Sequence, residues 1–232
     1  MPVGTIQRSL LLRHGVASLM VKARLRRWLA FVLLLLTSAM AELVEIRIDG
    51  RGGQGNVVAA YMLAEAGFEA GRHVQAFPSF GPERRGAPVA AFVRVSDQPF
   101  KRRCQVHAPH YVIVQDPTLL HAGAPQDVRP EGGILINSQR SLEDLAVKSH
   151  AHIAVVPAST LALRVLGRPI PNSALLAAFL ALTELMPMEA LEKALSRRFA
   201  DDTLQRNLQL TREAAGYVTA GAWKERSCAA RH

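Results

Sequence analysis

Hydrophobic periodicity sets in at residue 44. Val44, Ile46 and Ile48 alternate with Glu45, Arg47 and Asp49, which predicts a strand over residues 42–49. Glycines at 50, 52, 53 and 55 end it, and Val57, Val58, Ala60, Tyr61, Leu63, Ala64 and Phe68 predict a helix closing at Gly71. A short strand over 73–77 runs into a loop of prolines, glycines and arginines. Val89, Ala91, Val93 and Val95 then share one face of a strand over 88–95. Residues 111–115, 134–137 and 153–156 are continuously apolar at their centres, as strands buried on both faces are.

Helices dominate from residue 159. The pattern predicts them over 159–166, 173–185, 188–198 and 201–220, with Asn172 placed to cap the second and Pro187 ending it. The last has amphipathic spacing at Leu204, Leu208, Ala215 and Val218. Interleaved strands and helices imply an α/β fold: a layered Rossmann-like domain with a largely parallel sheet and a helical C-terminal part. Neither a repeat nor a long linker divides the chain after residue 40, so residues 40–232 read as one domain.

Composition agrees, with 49% apolar and 20% charged residues among 232. The formal charge of +9 is unevenly spread. Residues 1–39 hold six basic side chains (Arg8, Arg13, Lys22, Arg24, Arg26, Arg27) and no acid, leaving 22 basic against 19 acidic residues beyond them. A basic leader on a nearly neutral body argues against nucleic-acid binding. The apolar run over 28–36 is far shorter than the roughly twenty residues a membrane span needs. With the basic stretch before it and Thr37-Ser-Ala-Met-Ala41 after it, the run has the parts of a secretory signal starting at Met20. The alternative is initiation at Met40, with a cytoplasmic product. The expected organisation is therefore a 1–39 leader and a 40–232 domain.

Cys104 and Cys228 are far apart and no CxxC occurs, so neither an iron–sulfur cluster nor a cysteine zinc site is expected within the chain. The histidine pairs at 107/110 and 150/152 lack a matching carboxylate set, and no metal site is expected.

Candidate chemistry collects in two loops. Gly50, Gly52 and Gly55 fit G-x-G-x-x-G between a strand and a helix, where backbone N–H groups can close around an anion. A dinucleotide site would also place an acid near the end of the second strand, but Gln75, Ala76 and Phe77 stand there. A tight turn without a ligand is the other reading. The second loop, Phe77-Pro-Ser-Phe-Gly-Pro-Glu-Arg-Arg-Gly86, is stiffened by prolines and carries Arg84 and Arg85, suited to phosphate or carboxylate. It reads as a rigid charged loop lying near the first.

Four ordered strings carry a family resemblance: Gly50-Arg-Gly-Gly-Gln-Gly55; Gln75-Ala-Phe-Pro-Ser-Phe-Gly-Pro-Glu-Arg-Arg-Gly-Ala-Pro88; Asp116-Pro-Thr-Leu-Leu120; and Gly167-Arg-Pro-Ile-Pro-Asn172. From about Glu45 to about Tyr217 the chain resembles the gamma subunit of pyruvate:ferredoxin oxidoreductase and related 2-oxoacid:acceptor oxidoreductases. The leader has no counterpart there, which favours Met40 as the start.

The resemblance implies conversion of a 2-oxoacid and coenzyme A to acyl-CoA and CO2, with electrons passed to ferredoxin or flavodoxin. It implies alpha, beta and delta subunits as partners, with thiamine diphosphate and iron–sulfur clusters held mainly by them. The expected ligand or inter-subunit site comprises Gly50, Arg51, Gly52, Gly53, Gln54, Gly55, Phe80, Glu83, Arg84, Arg85, Asp116 and Asn172. Coenzyme A, with its pyrophosphate and 3′-phosphate, suits a glycine turn at a helix N-terminus. A stand-alone nucleotide-binding oxidoreductase and a purely structural assembly module are the competing readings.

Overall fold

The structure, a computed structural model, describes residues 43–79, 86–122, 125 and 127–224. The leader and residues 80–85 lie outside the described residues, and with them Phe80, Glu83, Arg84 and Arg85 of the expected site.

Six strands form one sheet: β1 (Leu43–Arg51), β2 (His73–Pro78), β3 (Pro88–Ser96), β4 (Tyr111–Val114), β5 (Gly133–Asn137) and β6 (His152–Val156), in the order β2-β3-β1-β4-β5-β6. β1, β4, β5 and β6 are parallel neighbours, while β3 runs antiparallel to both β1 and β2. Five strands thus point one way, with β3 against them. β1 outlasts its apolar alternation by two residues because Gly50 and Arg51 still pair with Val89 and Pro88.

The period-two pattern separates the sheet faces. Val44, Ile46 and Ile48, with Ala91, Val93 and Val95 across the ladder, lie under the helical layer. The helices are α1 (Asn56–Glu69), α2 (Leu142–Leu145), α3 (Ala158–Leu166), α4 (Asn172–Thr183), α5 (Met188–Arg198) and α6 (Asp201–Ala215). α4 is apolar almost all round because it is buried almost all round, against α1, α3, α5 and α6. Its Phe179 is fully buried and meets Tyr111 edge-on at 5.4 Å, a burial that contributes about 2–3 kcal/mol. Tyr111 stacks on Trp223, and Gly133 makes room for that indole: a Cβ there would lie 2.6 Å from Trp223 Cε3.

Helix ends follow local chemistry. Leu163 accepts from Gly167, whose left-handed backbone closes α3, and Glu189 with Arg197 and Arg198 complements the dipole of α5. α4 stops at Thr183, two residues short of its apolar run, as Glu184 turns left-handed. α6 gives way to turns after Ala215, before the predicted end at 220. α2 is additional to the predicted elements, although Ser141 and Asp144 form the capping box that nucleates it.

The second sheet face divides in two. Beneath β4 and β5 it is apolar, with Val112, Val114, Ile134 and Ile136 packed against Leu145 of α2 and Ala151. Beneath β1 and β3 it is charged yet covered. Arg94 is fully buried, donating from Nε to Glu45 Oε1 at 2.9 Å and from Nη2 to the Cys104 carbonyl, and stacking over Phe77. The chain following β3 supplies that carbonyl and the Arg102 carbonyl, which accepts from Arg94 Nη1 at 3.3 Å, so the polar alternation of β1 meets protein rather than solvent.

Candidate functional site

The carboxyl ends of the parallel strands, where open α/β sheets collect ligands, carry a layer of polar residues around the turn between β1 and α1. The turn is tight. Gln54 N donates to Arg51 O at 3.0 Å, and Gly53 and Gly55 take φ of 95° and 80°, a region glycine enters without strain. Gly55 is the N-cap of α1 and offers no capping side chain. Among the described residues the N–H groups of Gly53, Gly55, Asn56 and Val57 have no acceptor. Those donors and the positive end of α1 make the turn an anion cradle in form.

The second loop returns beside this turn at its described end. Gly52 N donates to Ala87 O at 2.9 Å, Gly86 N donates to Gly52 O at 3.3 Å, and Arg51 Nη1 reaches Gly86 O at 3.0 Å. Arg51 is further committed: Nε lies 3.2 Å from Asp116 Oδ2, and Nη2 donates to Thr118 Oγ1 at 2.6 Å. Gln54 bridges the same group, accepting from Arg51 N at 2.7 Å and donating to Asp116 Oδ2 at 2.9 Å. Asp116 follows β4 and precedes a 3-10 turn, Pro117–Ala122. Burial would raise its carboxyl, but hydrogen bonds from Thr118 and Gln54 and the Arg51 charge hold it below the usual carboxylate range.

Asn172 corrects an expectation. It is the first residue of α4 rather than its cap; Pro171 is the N-cap, and no side chain caps the helix. The Asn172 carboxamide instead donates to Gly55 O at 3.3 Å and accepts from Gln115 Nε2 at 3.0 Å. Asn137, ending β5, donates to Gln115 O at 2.8 Å and accepts from Ser159 N, at the start of α3. Asn56 donates to Val89 O at 2.9 Å, and a Cβ on Gly50 would lie 2.3 Å from Asn56 Oδ1. Gly50 is therefore required by the packing of α1 onto β1.

Gln54, Gly55, Asp116 and Asn172 are thus brought together around one turn. Topology disfavours the stand-alone dinucleotide-binding reading: β3 lies between β1 and β2, so the end of the second strand stands two strand spacings, about 10 Å, from the turn. The described residues do not fit an iron–sulfur cluster, since Cys104 is the thiol among them and is exposed, nor do they hold three metal-ligating groups together. No described helix is long and apolar enough to cross a membrane.

A sequence model of the pyruvate ferredoxin/flavodoxin oxidoreductase family matches residues 45–217. The chain belongs to that family. Within it, the chain is 42% identical over 176 residues to the common gamma subunit of the pyruvate/ketoisovalerate oxidoreductases of Pyrococcus furiosus, a match spanning 74% of this chain and 95% of that one. It is 46% identical over 152 residues to pyruvate synthase subunit PorC of Methanosarcina barkeri, spanning 65% of this chain and 84% of that one. The crystal structure of pyruvate oxidoreductase subunit PORC from Thermotoga maritima superposes with a TM-score of 0.69 at 36% identity, covering 78% of this chain and 99% of that one. The α/β fold with its mostly parallel sheet is that of these family members.

Gln115, Asn137, Asn56 and Thr118 join the polar layer around the turn, and the sequence reading does not single them out. A signal existed: Asp49, Gln115 and Asn137 each put a polar side chain directly after an apolar strand core, at the sheet's carboxyl edge. Also unforeseen is a cavity of about 350 Å³ lined in part by Asn172, with Met62, Arg168, Phe199 and Asn207. Its residues come from α1, the end of α3, α4, α6 and the connections between helices, so only folding assembles it.

Proposed function

We propose that this chain is the gamma-type subunit of a 2-oxoacid:ferredoxin oxidoreductase, with pyruvate as the 2-oxoacid. In the assembled enzyme it takes part in the coenzyme A-dependent oxidative decarboxylation of the 2-oxoacid to acyl-CoA and CO2. Ferredoxin or flavodoxin accepts the electrons. Family membership, together with near-complete overlap with gamma and PorC subunits named for pyruvate or ketoisovalerate, is the observation that carries this reading.

The turn's geometry suits a part in holding coenzyme A. Its N–H groups at Gly53, Gly55, Asn56 and Val57, without an acceptor among the described residues, match the pyrophosphate or 3′-phosphate in charge and donor number. Arg51, Gln54, Asp116 and Asn172 direct their hydrogen bonds inward, so their part is to shape the cradle rather than to touch the ligand. Glu83, Arg84 and Arg85, with Phe80, supply the rest of the contact, to the ligand or to the catalytic neighbour. Thiamine diphosphate provides the carbon–carbon cleavage chemistry and iron–sulfur clusters the electron path, both in the alpha, beta and delta subunits. The functional domain is residues 40–232, acting in the cytoplasm.

Co-expression with candidate partner subunits tests the proposal. Expected is co-purification with thiamine- and cluster-bearing chains and pyruvate-dependent ferredoxin reduction that requires coenzyme A. Recovery as a stable monomer with bound dinucleotide overturns it. A complex carrying Arg84→Ala and Arg85→Ala with unchanged assembly, turnover and coenzyme A affinity removes the second loop from the site.

A further inference from the structure

The glycine turn must present N–H groups outward, yet its own sequence does little to enforce that. Gly55 tolerates many ψ angles, so on its own side nothing steric fixes the peptide joining it to Asn56, and within the turn only φ of Asn56 resists rotation. A trans peptide holds its C=O and N–H on opposite sides. Turning the Gly55 carbonyl outward would bury the Asn56 N–H and put a partial negative charge where the cradle meets its anion.

Two restraints hold that carbonyl inward. Ala59 N donates to it at 2.9 Å, the first bond of α1, and Asn172 Nδ2 donates to it at 3.3 Å from a helix 117 positions away. The direction of the second restraint follows from the chemistry of its ends. A carbonyl can only accept, so the NH2 of Asn172 must face Gly55, and its oxygen must face Gln115. The Gln115 NH2 then donates to Asn172 Oδ1 at 3.0 Å, and Gln115 Oε1 remains buried without a donor among the described residues. Gln115 and Asn172 are 3% and 6% exposed, so water does not compete freely for these bonds. Gln115 is anchored in turn: its N donates to Asp49 O at 2.7 Å, and its O accepts from Asn137 Nδ2.

We infer that Gln115 and Asn172 are positioning residues: a two-carboxamide strap that fixes the Gly55–Asn56 peptide with its N–H toward the anion cradle. The strap ties the turn to the end of β4 and the start of α4, so the buried sheet and helix set the orientation of the glycine turn. Its importance for catalysis rests on the proposal that this turn contacts coenzyme A.

The test uses the assembled enzyme with Asn172→Asp, which keeps the shape but replaces the NH2 with an acceptor, and separately Gln115→Leu, which removes the supporting donor. Two readouts separate the strap from the ligand assignment: amide exchange at Ala59, whose N–H bonds the same carbonyl, and KM for coenzyme A with the 2-oxoacid saturating. In Asn172→Asp both are expected to rise about tenfold, the scale of one lost buried hydrogen bond. The effect falls more on KM for coenzyme A than on KM for the 2-oxoacid, because the turn acts in binding one of the two substrates. Lowering the pH protonates the introduced carboxyl, restores a donor and reverses part of the effect; Gln115→Leu gives a smaller, pH-independent effect and carries the test if the first variant does not assemble. Faster Ala59 exchange with unchanged KM for coenzyme A upholds the strap and removes coenzyme A from the turn. Unchanged exchange and unchanged KM in both variants overturn the strap.

Discussion

Arg51 Nε and Asp116 Oδ2 stand 3.2 Å apart across the mouth of the glycine turn, joined by Gln54, which contacts both residues. The pair is partly exposed, so its Coulomb energy is modest, about 0.5–1 kcal/mol. Its value is geometric, since it fixes where the turn sits relative to β4. Asp116→Ala removes that pair and the hydrogen bonds from Gln54 and Thr118, and is expected to cost about 1–2 kcal/mol of stability while raising KM for coenzyme A about fivefold. Melting curves and steady-state kinetics of the complex check both halves.

The glycines of the turn should differ in tolerance. At Gly53, φ is 95° but an added Cβ meets nothing within 4 Å, so Gly53→Ala carries backbone strain alone, about 1–2 kcal/mol. At Gly55, φ is 80° and the added Cβ would lie 2.8 Å from Asn172 Nδ2, a buried group that can move only by giving up its bonds to Gly55 O and Gln115. Gly55→Ala should therefore be worse than Gly53→Ala by at least about 1 kcal/mol, from the overpacking penalty. Urea unfolding of the two variants measures the gap; equal losses would refute the steric account.

Glu45 and Arg94 form a buried pair that is sensitive to being broken one side at a time. Glu45→Gln leaves a fully buried guanidinium with only neutral acceptors, among them Cys104 O and Gln75 Oε1, at an expected loss of about 3 kcal/mol. Combining it with Arg94→Met removes the stranded charge and should recover at least half of that loss. A double-mutant cycle in denaturant reads this directly.

His110 accepts from Glu45 N at 3.0 Å through Nδ1, which requires a neutral ring on that side. Burial, then the Arg129 charge, lowers its pKa to about 4, with Glu45 opposing and Arg102 adding to the fall. Its unfolded value lies near 6.5, so between about pH 6.5 and pH 4 the unfolded chain binds a proton that the folded chain does not. The associated stability is therefore complete above about pH 6.5 and is lost as pH falls toward 4. His110→Asn keeps an acceptor and removes the titration, so the fall in unfolding free energy over that window should be shallower than in the parent protein.

Much of the fold was legible because burial imposes period on sequence. The alternation from Val44 to Ile48, the apolar centres of β4 to β6, and the run that becomes α4 each report the face their side chains occupy. Less was legible at element ends. α6 stops at Ala215, and β1 continues to Arg51, because the stop depends on hydrogen bonds to distant partners rather than on local pattern. Asn172 shows the same limit: its position after Pro171 fits a cap, but Gly55 and Gln115 offer its carboxamide better-placed partners.

The sequence by itself determined the α/β class, the glycine turn and the family, since these rest on periodicity and on strings of adjacent residues. Only the tertiary structure decided that β3 runs antiparallel between β1 and β2, that an arginine on a strand of alternating pattern is fully buried, and that Gln115 and Asn172 brace a turn far from both in sequence. The physical reason is common to all three. Strand partners, buried charges and carboxamide hydrogen bonds are satisfied across the chain, and the residue types alone name a donor or an acceptor without naming its partner.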